Sequence, residues 1–197
     1  MENHKQLTII ALSILFLLLL ASIFFRPEFI KDSIFVLLLT VLFYFVEKKM
    51  SLPDWGFILV LVVIILHPVG LLLNFYALFV AGIGYDKFFH FTTGLTMTLV
   101  FYAWLRKKLS PTFAIIVAVL MTLGVGSINE IVEFIGQQYL NIQGPTMFSQ
   151  GDLLPATLTN DLVKYDTWYD MIFNLIGSMV ATVISAFIMH KHEKPRS

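Results

Sequence analysis

Long apolar segments recur along the chain and are separated by short polar or charged breaks. A helix needs roughly 20 mostly apolar residues to cross the ~30 Å hydrocarbon layer of a membrane. The segments of this kind lie at about Leu7–Phe25, Ile30–Val46, Trp55–Phe79, Phe88–Leu105, Thr112–Leu140 and Trp168–Met189. The alternation with a period of two that marks the strands of a membrane barrel is not visible. The pattern predicts an all-α integral membrane protein, a single domain over residues 1–197 with a bundle of about six transmembrane helices.

Three segments carry features that refine this prediction. The first follows Lys5, as in a signal peptide, but it is longer than a signal sequence's apolar region and no small-residue cleavage site follows, so we expect an uncleaved span. The third contains His67-Pro68, and a proline inside a helix removes a backbone hydrogen bond and usually produces a kink. The fifth and sixth are joined by a loop at 141–166, whose role the sequence does not reveal.

Composition agrees with the apolar pattern. The chain is 58% hydrophobic and 13% charged, whereas soluble domains are about 45–50% apolar and about 25% charged. The formal net charge is zero, so nothing indicates a nucleic-acid partner. Cysteine is absent, which excludes disulfides, thiolate metal sites and a cysteine nucleophile.

Lysine and arginine predict the orientation, because cytoplasmic loops are enriched in these residues. With six spans, one side holds Lys5, Lys48, Lys49, Arg106, Lys107, Lys108, Lys191, Lys194 and Arg196. The other side holds Arg26, Lys31, Lys87 and Lys164. We therefore expect both termini to be cytoplasmic and the loop at 141–166 to lie outside the cytoplasm.

Polar residues from separate spans converge on the outer side. Counting ~1.5 Å of rise per residue from the end of each span places the following residues near one depth: His67, Asp86, His90, Glu130, Glu133, Asp166, Asp170 and Asn174. This convergence follows from the alternating direction of the spans and would survive a reversed topology.

The spacing of these residues places them on single helix faces. Asp86 and His90 are four residues apart, Glu130 and Glu133 three, and Asp166, Asp170 and Asn174 are separated by four each. A charged group at mid-bilayer costs at least ~2.5–3.5 kcal/mol, so such groups normally face the bundle interior. The spacing therefore predicts a shared polar pocket at the outer leaflet.

Plainer interpretations stay open for single residues. Lys87 and Asp166 lie at the membrane boundary and are expected to be solvated or interfacial. His67 is as well explained by a hydrogen bond to a carbonyl freed at the kink. His90, Glu130 and Asp170 together would also suit a buried clamp that holds helices.

The donor set suits two kinds of chemistry. Imidazole, carboxylate and carboxamide ligands bind Mg²⁺, Mn²⁺, Zn²⁺ or Fe²⁺, and we predict His90, Glu130, Glu133 and Asp170 as the metal ligands. Without a metal, clustered carboxylates separate their pKa values and serve as acid and base. The H-E-x-x-H signature is absent, since the glutamate segment reads E-I-V-E.

The order LHPVG, YDKFFHFTTG, NEIVEF and YDTWYDMIFNLIGS resembles the YjdF-like inner-membrane proteins, a bacterial and archaeal family of unknown function. Part of it, with Asp170, Asn174 and Gly177, is more distantly similar to the VanZ-like membrane proteins, which are linked to glycopeptide resistance. The resemblance covers residues 66–181 and implies a prokaryotic plasma or inner membrane. It maps the family's pattern onto His67, Asp86, His90, Glu130, Glu133, Asp166 and Asp170, and implies no reaction.

Three functions compete at this point. The first is a metal-dependent or acid/base membrane enzyme, a hydrolase or transferase acting on a lipid-linked or envelope substrate, with His90, Glu130 and Asp170 as catalytic residues. The second is a structural or accessory subunit whose polar residues clamp helices. The third is a transporter, which the apolar inner halves of the last three spans disfavour.

Overall fold

The computed structural model describes residues 2–80, 83–139 and 165–192. Its helices are α1 (Glu2–Phe25), α2 (Ile30–Met50), α3 (Asp54–Leu72), α4 (Tyr85–Leu105), α5 (Pro111–Tyr139) and α6 (Asp166–His192). Each of these helices contains a stretch long and apolar enough to cross a membrane, six in all over the described residues. The predicted all-α membrane bundle is thereby confirmed. Apart from Tyr165 and Asp166, the loop predicted at 141–166 lies outside the described residues.

The third span ends earlier than predicted. α3 continues through Pro68 but stops at Leu72 instead of Phe79, and Asn74 then takes a left-handed conformation with φ of 58°. Asparagine tolerates this region because its short side chain bonds locally, and such a residue ends a helix. A 3₁₀ turn at Phe75–Ala77 follows, and then the two-residue strands β1 (Phe79–Val80) and β2 (Ile83–Gly84) pair antiparallel. The kink at Pro68 stays a prediction.

The arrangement of the helices places α4 at the centre of the bundle. α4 packs against α3, α5 and α6, while α1 packs against α2 and α3. Large apolar side chains such as Leu17 and Leu38, each 64% exposed, cover the outer faces of α1 and α2. An exposed apolar surface of this kind is the surface that a bilayer solvates.

The backbones of α4 and α6 are in close contact. A Cβ atom added at Gly94 would contact the backbone of Asn174, and one added at Gly177 would contact the backbone of Phe91. Only glycine allows the two helix backbones to come this close, as small residues commonly do in membrane helices. This packing brings the first turns of α4 and α6 together at one end of the bundle, which we call the site end.

A buried polar contact joins the other helices at the opposite end of the bundle. The His4 ring lies with Nδ1 3.0 Å from Glu47 Oε1 and Nε2 2.8 Å from Asp54 Oδ1. It also stacks on Phe57, with 4.3 Å between the ring centroids. Since these residues come from α1, α2 and α3, the contact holds the three helix ends together. This contact is not among the features predicted from the sequence.

Candidate functional site at the α4–α6 end

His90 stands among carboxylates from three helices. Its Nε2 atom is 3.6 Å from Asp86 Oδ1, 3.6 Å from Asp170 Oδ1 and 3.9 Å from Glu130 Oε1. Asp86 and His90 lie one turn apart on α4, Glu130 comes from α5, and Asp170 comes from the first turns of α6. A buried cluster of histidine and aspartate therefore exists at the site end, where span direction and helix rise predicted one.

Lys87 is a central member of this cluster. Its Nζ atom donates to Asp86 Oδ2 at 2.8 Å and to Asp170 Oδ1 at 2.6 Å, and it also bonds to Asp166. The Lys87 side chain is only 13% exposed, whereas that of Asp166 is 53% exposed. The expectation of a solvated, interfacial Lys87 is therefore wrong, because its long side chain turns inward across the α4–α6 contact. Asp166 is half exposed at the first residue of α6, and its position at the membrane boundary stays a prediction.

Three side chains in this cluster have the geometry of metal ligands. Asp86, His90 and Asp170 each offer one ligand atom, and these atoms all lie within 4.8 Å of one another. His90 and Asp170 belong to the predicted ligand set and Asp86 joins them, whereas neither of the predicted ligands Glu130 and Glu133 is in this group. Glu133 instead accepts a hydrogen bond from Asn129 Nδ2 at 2.8 Å.

Glu130 is the least satisfied member of the cluster. It is 4% exposed, and its Oε1 atom has no hydrogen-bond partner among the described residues. A buried acceptor without a partner is rare in native proteins and calls for an explanation, such as a catalytic role or a bound ion. This carboxylate oxygen faces His90, so an additional ligand at that point would satisfy it.

Asn174 supports the His90 ring from α6. Its Nδ2 atom is 3.2 Å from His90 Nδ1, so the amide hydrogen-bonds to one ring nitrogen and leaves Nε2 facing the carboxylates. One turn further into the bundle, the Thr98 hydroxyl is hydrogen-bonded to Thr122 at 3.0 Å and to Ser178 at 2.9 Å. These buried contacts join α4, α5 and α6 directly below the cluster and hold its geometry.

His67 lies apart from the ligand atoms and is held by Tyr76. Its Nδ1 atom is 2.8 Å from the Tyr76 hydroxyl. Burial raises the pKa of Tyr76 well above its ordinary value, so the phenol that bonds to His67 stays protonated. A carbonyl near the proline does find a partner, since Tyr85 donates to Leu66 O at 2.9 Å. Tyr76 is not among the predicted site residues, because the predicted third span extends through its segment to Phe79.

A cavity of about 390 Å³ opens beside the cluster. Its polar end is formed by Asp86, His90, Glu133 and Asn174, among others. The rest of its wall is largely apolar and comes from α2, α3, α4 and α5. Counted along the helix rise, the wall reaches Val60, which is ~18 Å from the end of α3, so the cavity extends toward the middle of the membrane.

The fold and this cluster define a polytopic helical membrane protein with a buried, charged site near one face. The chain belongs to the family described as "Predicted membrane protein (DUF2238)", whose model matches residues 6–192. Comparison with curated proteins and with solved structures gives no match. Membership of an uncharacterised membrane-protein family is thus confirmed, and the family description supplies no reaction.

Proposed function

We propose that this protein is a membrane enzyme, a hydrolase or transferase, that uses a divalent metal at the site end to act on a lipid or a lipid-linked envelope substrate. The observation that carries the proposal is the convergence of three ligand atoms, from Asp86, His90 and Asp170, within 4.8 Å of one another. Glu130 is the general base in this proposal, because its unpartnered Oε1 lies 3.9 Å from His90 Nε2.

The chemistry of the donors supports a divalent metal. One imidazole nitrogen and two carboxylate oxygens suit Zn²⁺, Mn²⁺ or Fe²⁺, and Mg²⁺ would accept the carboxylates. A metal here would polarise an ester or phosphoryl oxygen and lower the pKa of a bound water. Asn174 would fix the orientation of the His90 ring through its hydrogen bond, as partners of metal-binding histidines usually do.

Lys87 is compatible with a metal at this point. It bonds to Asp86 through Oδ2, while Oδ1 of the same carboxylate faces His90. Lys87 therefore leaves one oxygen of Asp86 for an ion. At Asp170 it bonds to Oδ1, the same oxygen that lies 3.6 Å from His90 Nε2, so an ion bound there would share this oxygen with Lys87. Its single positive charge does not balance Asp86, Asp166 and Asp170, so the cluster retains negative charge that favours a cation.

The membrane setting supports a lipid or envelope substrate. The polar cluster continues into a mostly apolar cavity, which suits an amphiphile with a polar head and a hydrocarbon tail. The excess of lysine and arginine on the opposite side favours an outward-facing site with cytoplasmic termini. The resemblance to YjdF-like and VanZ-like proteins favours a prokaryotic plasma membrane and, through the latter, an envelope substrate.

The second candidate is a structural or accessory subunit with a buried polar clamp. The ion pairs of Lys87 with Asp166 and Asp170 favour it, because they join α4 to α6. It does not explain why Glu130 is buried with an unpartnered oxygen. A transport role is less well supported, since the cavity wall becomes apolar toward the membrane centre.

Metal analysis of the purified protein tests the proposal. After incubation with Mn²⁺ or Zn²⁺ and gel filtration in detergent, we expect near-stoichiometric metal in the wild type and its loss in Asp170→Asn and His90→Ala. Mg²⁺ should compete in a Mn²⁺ titration if it is the physiological ion.

Glu47→Gln is the matched control, because Glu47 is a buried carboxylate at the opposite end of the bundle. It should retain the metal. Wild-type protein with no more metal than Asp170→Asn would overturn the metal proposal.

A further inference from the structure

The apolar part of the cavity is larger than the polar cluster requires. Beyond Asp86 and His90, its wall includes Val36, Phe43 and Val63, and it is bounded by Met97 on α4. An empty apolar space of about 390 Å³ would destabilise the bundle strongly. The hydroxyls of Thr93, Thr96 and Thr122 also line the cavity, but water would find few polar partners beside Val36, Phe43 and Val63. The space therefore calls for an apolar occupant.

The cavity has a route to the surrounding bilayer. Phe35 and Leu39 on α2 and Val125 on α5 line the cavity, and they are also 40%, 37% and 46% exposed. Within the described chain, α2 packs against α1 and α3, and α5 packs against α4 and α6. These exposed lining residues place the opening between α2 and α5, two helices that pack on different neighbours and whose exposed side chains here are apolar.

We infer that the apolar part of the cavity, which we call the chamber, binds one hydrocarbon chain of a membrane lipid. The chain enters from the bilayer between α2 and α5, and the headgroup of the same lipid then lies at the polar cluster. The inference rests on the proposed function for the headgroup chemistry, and it adds the substrate class and the route of entry. A chain that moves from bilayer to chamber passes between two equally apolar surroundings, so its entry costs little. The contacts that the headgroup makes with the polar cluster then determine which lipid is bound.

The lining of the polar end limits the headgroup. Its side chains offer carboxylate acceptors and amide groups, which belong to Asp86, Glu133, Asn129 and Asn174. The described lining includes no lysine or arginine. A headgroup that donates hydrogen bonds through hydroxyl groups fits this lining directly. An uncharged lipid with a free hydroxyl is therefore the appropriate first probe.

Photocrosslinking in nanodiscs tests the inference. The probe is a diacylglycerol that carries a diazirine near the middle of one acyl chain. We expect wild-type crosslinks on chamber-facing residues such as Met97, located by mass spectrometry of peptides. Val63→Trp, which fills the chamber, should abolish these crosslinks, whereas Val62→Trp, one residue away and exposed to lipid, should retain them.

Crosslinks confined to lipid-facing residues in the wild type would overturn the inference, and this result needs no variant to fold. Equal chamber crosslinks in Val63→Trp and Val62→Trp would overturn it as well. Metal content measured on the same wild-type samples separates the two proposals. Bound metal without chamber crosslinks would contradict the binding of a hydrocarbon chain but not the metal site. Chamber crosslinks without bound metal would contradict the metal proposal but not the binding of a hydrocarbon chain.

Discussion

Lys87 carries the positive charge that allows three aspartates to share one end of the bundle. Its ammonium group bonds to Asp86, Asp166 and Asp170, and Asp170 is only 3% exposed. Taking such charges out of water is costly, and the cost is offset only by close partners of opposite sign. Lys87 thus determines whether the aspartates can stay ionised so close to one another.

Replacing Lys87 by methionine should lower the free energy of unfolding by about 3–5 kcal/mol, because it leaves buried carboxylates without their cation. The measurement is denaturation in detergent, followed by a fluorescence or circular dichroism signal. The double variant with Asp170→Asn should recover part of the loss, since one of the repelling charges is gone.

Lys107→Met is the control, because Lys107 is exposed and bonds only to backbone carbonyls, those of Met50 and Ser51, in the described structure. It should change stability by less than about 1 kcal/mol. If Lys87→Met and the wild type had the same free energy of unfolding, the ion pairs of Lys87 would make no net contribution to stability.

At the scale of helices, the site depends on the close packing of α4 and α6. The glycines at positions 94 and 177 let the two backbones meet, and the contact places His90 within 3.2 Å of Asn174. The distances between His90, Asp86 and Asp170 follow from this packing. A change in the spacing of the helices would therefore alter the site even though no ligand residue is touched.

Gly177→Ala should lower the free energy of unfolding by about 1–3 kcal/mol, because the added methyl group meets the backbone of α4 and forces the helices apart. Metal binding should weaken in the same variant. Gly124→Ala is the matched control on α5, where an added Cβ has no atom within 4 Å. That change should raise stability by up to about 1 kcal/mol, since alanine is the better helix former. The same sign of change in both variants would contradict the packing argument.

At the scale of the whole molecule, the sequence was sufficient to predict the number of membrane-spanning helices and the end of the bundle at which His90 meets the aspartates. Both follow from apolar length and from the alternating direction of the spans. Apolar length and span direction do not predict which side chains contact one another. Glu130 and Glu133 lie only about 60° apart around α5, on one face, so spacing alone cannot decide which of them faces His90. The role of Lys87 depends on a contact with α6, 79 residues away at Asp166.

The central claim is that the charged cluster is a binding site and that holding helices together is not its main role. The thermal stability of Glu130→Gln in detergent tests it most directly, because the two roles predict opposite effects. Glu47→Gln serves as the reference, since Glu47 accepts hydrogen bonds from His4 and from the backbone of Leu52 and should lose stability when changed.

Glu130 carries a buried oxygen with no partner in the described structure, so removing its charge should relieve an unfavourable burial. Functional sites commonly carry such a cost in stability. The binding site predicts an unfolding temperature of Glu130→Gln equal to or above that of the wild type. A marked decrease, comparable with that of Glu47→Gln, would contradict the account and favour the structural clamp.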